Sequence, residues 1–202
     1  MIRWNILFGK LKAINMIYHK PIHLNGWEEA NKSFMEYVSA NTKFMKTDYF
    51  WNIIRPELHK PCYDLYSPIF KEAGFNLLRI SLLIVNKRTR SNIHQDEDYI
   101  NGYPTRMSRI NIPILNCDSS VTKFYSSIKW NPIIKTHING IKYTYHHPDD
   151  CKLESSVTLS SPMILRVREL HNVSMLKGVY PRLAISCAVD PDPIYLLEEQ
   201  HD

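Results

Sequence analysis

The chain has 202 residues, a net charge of +5 at neutral pH and a pI near 8.9, with 22% charged and 44% hydrophobic residues. That balance is ordinary for a soluble globular chain long enough to bury one substantial core, and the sequence shows no internal repeat and no low-complexity segment. No block of five or more basic residues occurs, so a basic nucleic-acid tail is not indicated. In chain order, alternating Ile2, Trp4, Ile6 and Phe8 predict an early strand. Asn25 then stands three residues before Glu28, a helix-start pattern. Trp27, Ala30, Phe34, Tyr37 and Val38 share one face of the helix it opens, which runs to about Ala40 and packs into the core. Pro56 and Pro61 break the chain, and a second helix is expected from Tyr63 to Ala73, stopped by Gly74.

From Phe75 onward the pattern is strand after strand. Runs at Asn76 to Val85, Met107 to Leu115, Val121 to Tyr125, Ser156 to Leu159, Met163 to Val167, His171 to Leu176 and Leu183 to Val189 are separated by turn residues. Ile133 to Ile138 and Ile141 to His146 flank Asn139-Gly140, a strong signal for a hairpin with a type I′ turn. Its Lys135, His137, Lys142, Tyr143 and Tyr145 could cover a pocket and select a substrate, or simply extend a sheet. Two helices followed by many short strands predict a mainly β fold, with helices packed on one face of a β-sandwich. The expectation is one domain over residues 1–202: a helical part about 25–74, then a sandwich core about 75–190.

Two strands carry a further pattern. Leu78, Ile80, Leu82 and Ile84 share one face, with Arg79 and Ser81 on the other; Ile110, Ile112 and Ile114 share a face, with Arg109 and Asn111 opposite. The helices can cover the aliphatic faces. The polar faces then look either into the sandwich or to solvent.

The chemistry-bearing stretch is His94-Gln95-Asp96. In an extended segment His94 and Asp96 point to the same side and can hold one metal ion between them. A second imidazole from another strand, His171, completes a two-histidine, one-carboxylate face, which suits Fe(II) and leaves coordination positions open. Arg182, eleven residues beyond His171, offers a planar cation that can grip a carboxylate bidentately. A second His-x-Asp, His147-Pro148-Asp149, sits in a polar stretch that reads as a turn, with little chain before His171. His146, His147 and Cys151 lack a fourth zinc ligand at suitable spacing. There is no Gly-rich phosphate loop among six glycines, and no Gly-x-Ser-x-Gly elbow.

On His94, Asp96, His171 and Arg182 the chain resembles the Fe(II)/2-oxoglutarate-dependent dioxygenases, whose signature is His-x-Asp/Glu, a long gap, a second His and, about ten residues on, an Arg or Lys. The resemblance implies a double-stranded β-helix, the cupin-like jelly roll, with Fe(II) held by His94, Asp96 and His171 inside its open end. It implies 2-oxoglutarate as cosubstrate, its distal carboxylate on Arg182, with Arg109 and Asn111 as further cosubstrate contacts and ascorbate as a reductant in assays. It implies a hydroxylase releasing succinate and CO₂. One departure stands out: many members carry Ser or Thr two residues after the Arg, where this chain has Ala184. A second anchor must then come from elsewhere, with Arg109, Asn111 and Tyr125 as candidates. The rival readings are a jelly-roll binding protein without turnover and a cupin-type metalloenzyme that does not use 2-oxoglutarate; the latter has no need of a buried carboxylate clamp at Arg182.

The expected partner is a small molecule or peptide. The basic cluster Lys87-Arg88-Thr89-Arg90, just before His94, favours an anionic one. The positive charge leaves nucleic acid open, although no basic–aromatic interleaving supports it. No membrane partner is expected: the most apolar run, Leu77 to Val85, is too short to span and carries Arg79. Cys62, Cys117, Cys151 and Cys187 show no Cys-x-x-Cys spacing, and the apolar start is broken by Arg3, Lys10 and Lys12 with no signal-peptide core. A reducing cytoplasm is the expected location.

Overall fold

A computed structural model describes residues 16–41, 51–54, 57–86, 91–96, 99–100, 103–104, 106–129, 131–136 and 142–198. In chain order these form β1 (His19–Pro21), α1 (Trp27–Ala40), β2 (Trp51–Ile54), α2 (Lys60–Glu72), β3 (Asn76–Val85), β4 (Ile93–Gln95), β5 (Tyr99–Ile100), β6 (Tyr103–Pro104), β7 (Arg109–Leu115), β8 (Ser120–Ser127), β9 (Ile133–Thr136), β10 (Lys142–His146), β11 (Cys151–Val157), β12 (Met163–Leu165), β13 (Leu170–Met175) and β14 (Arg182–Asp190). One six-stranded sheet runs β1-β12-β7-β14-β3-β2, and a second runs β11-β8-β13-β4-β10-β9. All the pairings are antiparallel, β5 and β6 forming a separate pair. The fold is mainly β: a cupin-like jelly roll with two helices on the outer face of the first sheet.

Alternation decides which side chains go where. Ile110, Ile112, Leu183, Ile185, Cys187, Ile80 and Leu82 point outward from the first sheet into a core shared with Phe34 and Val38 of α1 and Tyr66 and Phe70 of α2. Phe34 meets Tyr66 edge-on at 5.8 Å between ring centroids. The Tyr66 hydroxyl donates to Asn31 Oδ1 (2.7 Å), and Asn31 Nδ2 donates to the Pro113 carbonyl (2.6 Å). This chain of bonds ties both helices to β7. On the inner side a smaller cluster of Phe124, Met163, Leu165, Val167 and Ala184 joins the sheets.

Four local expectations are corrected. Asn25 does not cap α1: the N-cap is Gly26 at φ 76°, with no side-chain cap bond. Asn25 instead donates to Glu72 Oε1 (2.5 Å), clamping the start of α1 to the end of α2. Pro61 does not break the chain but sits in the first turn of α2, where its missing N–H costs nothing, so the helix starts at Lys60. The strand expected from Ser156 starts at Cys151; it is an edge strand, half solvated, and needs no apolar alternation. The aliphatic face expected through Leu78 fails there. Ala188 pairs with Arg79 but Val189 pairs with Leu77, so Leu78 is the extra residue of a bulge, and Leu77 takes its place against the core. The strand expected from Ile2 to Phe8 lies outside the described residues, as do the Lys87 to Arg90 cluster and the Asn139-Gly140 turn. The flanking register puts Thr136 opposite Lys142, whereas a two-residue turn at Asn139-Gly140 would put it opposite Tyr143.

The polar faces look inward. Arg109 and Asn111 are 4% and 7% exposed, so β7 is covered on both sides and the solvent-facing alternative does not apply. No helix among the described residues is long and apolar enough to cross a membrane.

Candidate metal centre

The second sheet sets the centre by register. His94 stands opposite His171 on one side and Tyr145 on the other, and His171 stands opposite Phe124. Directly opposed residues project from the same face, so both imidazoles enter the interior side by side, with ring centroids 4.5 Å apart. Asp96 follows just past β4, its N–H bonded to the Val167 carbonyl at 3.0 Å. Its carboxylate turns back to the rings: Oδ1 lies 3.4 Å from His94 Nε2 and 4.0 Å from His171 Nε2. One ligand atom from each of the three residues falls within 4.8 Å of the others, and no other set of three does so among the described residues.

The tautomers are fixed by the backbone. His94 Nδ1 donates to the Asn92 carbonyl (2.8 Å), and His171 Nδ1 donates to the Glu169 carbonyl (2.9 Å). A carbonyl can only accept, so each neutral ring carries its proton on Nδ1 and offers the Nε2 lone pair to the centre. Electrostatics agree. Burial, then the neighbouring His94, pull His171 down to about 4, which keeps it neutral. Burial would raise Asp96, but the hydrogen bond from His94 and the charges of His171, His94 and Arg109 hold it well below the usual carboxylate range. Burial lowers His94, and the bond and charge of Asp96 more than offset this, so it ends raised. In the metal-free chain, then, Asp96 favours a proton on His94 Nε2. A divalent cation would take that proton's place, and the donor set of two imidazole nitrogens and one carboxylate oxygen fits Fe(II). The second His-x-Asp pair stays outside: His147 Nδ1 lies 3.4 Å from Asp149 Oδ2, with both side chains largely exposed.

Arg182 opens β14 on the inner face and is 1% exposed. Its Nε donates to Ser120 Oγ (3.3 Å), and Nη1 has no partner among the described residues. Burial pushes its guanidinium below the usual range. Ser120 pairs with Met175 and Phe124 with His171, so Ser120 stands four residues down β8 from the histidine row, roughly 14 Å at strand spacing. Between them Thr122 is buried on the same face. The interior thus has the cluster of candidate metal ligands at one level and a buried guanidinium at a deeper one.

Of the candidate second anchors, Tyr125 lies on the opposite face of β8 from Phe124, its hydroxyl 3.3 Å from Asn172 Oδ1. The hydroxyl that does reach Arg182 is Ser120, which sequence reasoning missed. Its signal was present: Ser120 and Thr122 alternate with Phe124, placing polar residues on a buried face. Arg109 and Asn111 share the inner face of β7. Burial, then the neighbouring Arg79, pull Arg109 down to about 10, and the charges of Asp96 and Asp192 act the other way.

No family model matches the chain, and no curated protein matches it. Solved structures do. HygX from Streptomyces hygroscopicus, in its apo form, is 12% identical, with a TM-score of 0.50 over 88% of this chain and 83% of its own. The epimerase SnoN, crystallised with Fe3+, alpha ketoglutarate and nogalamycin RO, is 11% identical, with a TM-score of 0.47 over 87% of this chain and 79% of its own. AviO1 from Streptomyces viridochromogenes Tue57 is 11% identical, with a TM-score of 0.44 over 88% of this chain and 92% of its own. At such identities a likeness bears on the fold alone, and the agreement with HygX accords with the jelly roll described above.

Proposed function

We propose that the chain is an Fe(II)- and 2-oxoglutarate-dependent oxygenase that hydroxylates its substrate with release of succinate and CO₂. One observation carries this reading. Two imidazoles and a carboxylate converge at the mouth of the sandwich, while a buried guanidinium whose Nη1 has no partner among the described residues faces the same interior from deeper down. A metal site alone needs no such cation, whereas a dicarboxylate chelating the metal at one end needs a counter-charge at the other.

In this reading His94 and His171 supply Nε2, held in place by the Asn92 and Glu169 carbonyls. Asp96 offsets part of the metal charge. Arg182 pairs with the distal carboxylate of 2-oxoglutarate through its planar fork. The Ser120 hydroxyl, now donating to the Cys117 carbonyl at 2.9 Å, can turn to share that carboxylate and fill the role left open by Ala184. Phe124 and the apolar inner cluster exclude water from the passage between the two levels. The bound iron and cosubstrate would supply the oxidising step, in which one oxygen atom of O₂ enters a substrate C–H bond and the other enters succinate.

The test is succinate release from 2-oxoglutarate by the purified chain with Fe(II) and ascorbate, screened against pools of small molecules and peptides. Succinate that is absent with His171→Ala and present with His147→Ala supports the reading. Tight metal binding with no measurable affinity for 2-oxoglutarate would move the chain to the cupin-type metalloenzyme.

A further inference from the structure

The candidate ligands come from separate strands, and the sheet ladder alone does little to hold them together. Among the described residues β4 pairs with β13 at a single position, His94 against His171. Continuing that register would set Asp96 opposite Glu169. Instead the Asp96 N–H bonds to the Val167 carbonyl at 3.0 Å, two residues further along. The regular ladder therefore stops at His94. Asp96 takes its place from residues 166–169, the turn that carries the chain from β12 in the first sheet to β13 in the second.

That turn and the end of β4 grip each other in both directions. Gln95 Nε2 donates to the Arg168 carbonyl (2.9 Å), and Arg168 Nη1 donates to the Asp96 carbonyl (3.3 Å). The backbone N–H and C=O of Asp96 are thus both engaged by the turn. The same turn steadies the second histidine, since the Glu169 carbonyl accepts from His171 Nδ1 (2.9 Å). The turn is itself tied down. The Glu169 N–H bonds back to the Arg166 carbonyl (3.3 Å), and the Arg168 N–H reaches the Met107 carbonyl (3.4 Å). The Arg166 N–H bonds to the Tyr18 carbonyl (2.9 Å), and its Nε donates to the Ile17 carbonyl (3.1 Å). Asp96 lies just past the end of its strand, and its short side chain can be placed only as well as its backbone is. Bonds to that backbone therefore decide where the carboxylate stands relative to His171 Nε2.

We propose that Gln95 and Arg168 are positioning residues of the metal centre: by locking the end of β4 to the turn at 166–169, they hold Asp96 at the separation from His171 that lets both ligate one ion. The inference deepens the reading above. It rests on the metal alone and does not depend on the use of 2-oxoglutarate.

The full chain, stripped of metal, is titrated with Co(II) alone. Calorimetry gives the affinity, and the visible absorption of the bound ion reports its coordination geometry. Gln95→Met and Arg168→Met keep most of the side-chain length and remove the donors; Arg168→Lys keeps one donor. Each Met variant should weaken Co(II) by about tenfold and alter the absorption of the bound ion, with metal-free circular dichroism and Tm close to wild type. Arg168→Lys should recover part of the loss, which guards against a variant that merely misfolds. Because both side chains act on the same strand end, the double variant should lose less than the product of the two single losses. Met variants with wild-type affinity and absorption overturn the proposal, as do losses that multiply in full. A loss that only tracks a fall in metal-free Tm, with the absorption of the bound ion unchanged, marks a merely structural role and overturns it too. Wild type that binds no Co(II) sinks the metal centre and the proposal with it. Wild type that binds Co(II) but not 2-oxoglutarate sinks only the cosubstrate assignment, and the comparison of variants still decides the positioning role.

Discussion

Replacing Arg182 by methionine should move stability and ligand binding in opposite directions. The side chain is 1% exposed, spends one bond on Ser120 and leaves Nη1 unpartnered among the described residues. In the ligand-free chain it is a desolvated cation with little in return. An apolar residue of similar length should therefore stabilise the apo-protein by about 1–3 kcal/mol, net of roughly 1 kcal/mol for the lost Ser120 bond. For a chain of this size that raises Tm by about 2–12 °C. The ligand effect runs the other way. With Mn(II) present and 2-oxoglutarate at about 100 times its Kd, wild type gains about 2.7 kcal/mol, or about 5–10 °C. Removing one partner of a buried charge pair costs about 2–5 kcal/mol. At the same ligand concentration, even the low end of that range leaves the variant only about 0.9 kcal/mol of ligand stabilisation, a shift of about 4 °C or less. Differential scanning fluorimetry with and without 2-oxoglutarate reads both numbers, and Mn(II) affinity measured alone checks that the metal face is intact. A variant that keeps the full ligand shift would refute the assignment of Arg182 to the distal carboxylate. One that loses several degrees in the apo state would refute the claim that this cation is held at a cost.

His171→Ala should weaken Mn(II) or Co(II) binding by at least about a hundredfold, since ligand loss exceeds the 10–100-fold cost of losing a mere supporting contact, whereas His147→Ala should leave calorimetric affinity unchanged. Of the four cysteines only Cys151 is not fully buried, so a thiol reagent should titrate one group quickly in the native chain and three more on unfolding. Burial pushes the Cys62 thiol up to about 12, which keeps it protonated as well as hidden. Tyr145 stands opposite His94 with ring centroids 6.2 Å apart, so Tyr145→Ala should spare metal and 2-oxoglutarate affinity and lower coupled turnover. Shortening the connection between β9 and β10 should do the same; a shortened chain that turns over its substrate at the normal rate would return that hairpin to a plain sheet extension.

The convergence of the three candidate donors was legible in the sequence because metal ligation restricts residue type and period-two geometry restricts spacing. His94 and Asp96 needed only an extended backbone to share a side. What joins His171 to them is register, Cα opposite Cα across β4 and β13, and register depends on the whole sheet rather than on either strand. The deep end of the site was harder to read for the same reason. Ser120 and Arg182 lie 62 residues apart in different sheets, and nothing local in either segment says that they touch. Local rules failed where a tertiary contact outbid them: Asn25 gave up a helix cap to bind Glu72, and β3 took an extra residue at Leu78. That bulge lies one residue from Arg79, at the edge of the paired region that runs unbroken from Arg79 to Val85 against β14. Without the slip, Leu77 would point inward with Arg79 instead of packing against the core. The irregularity thus lets one strand serve an apolar outer core along its whole length while Arg79 and Ser81 face inward.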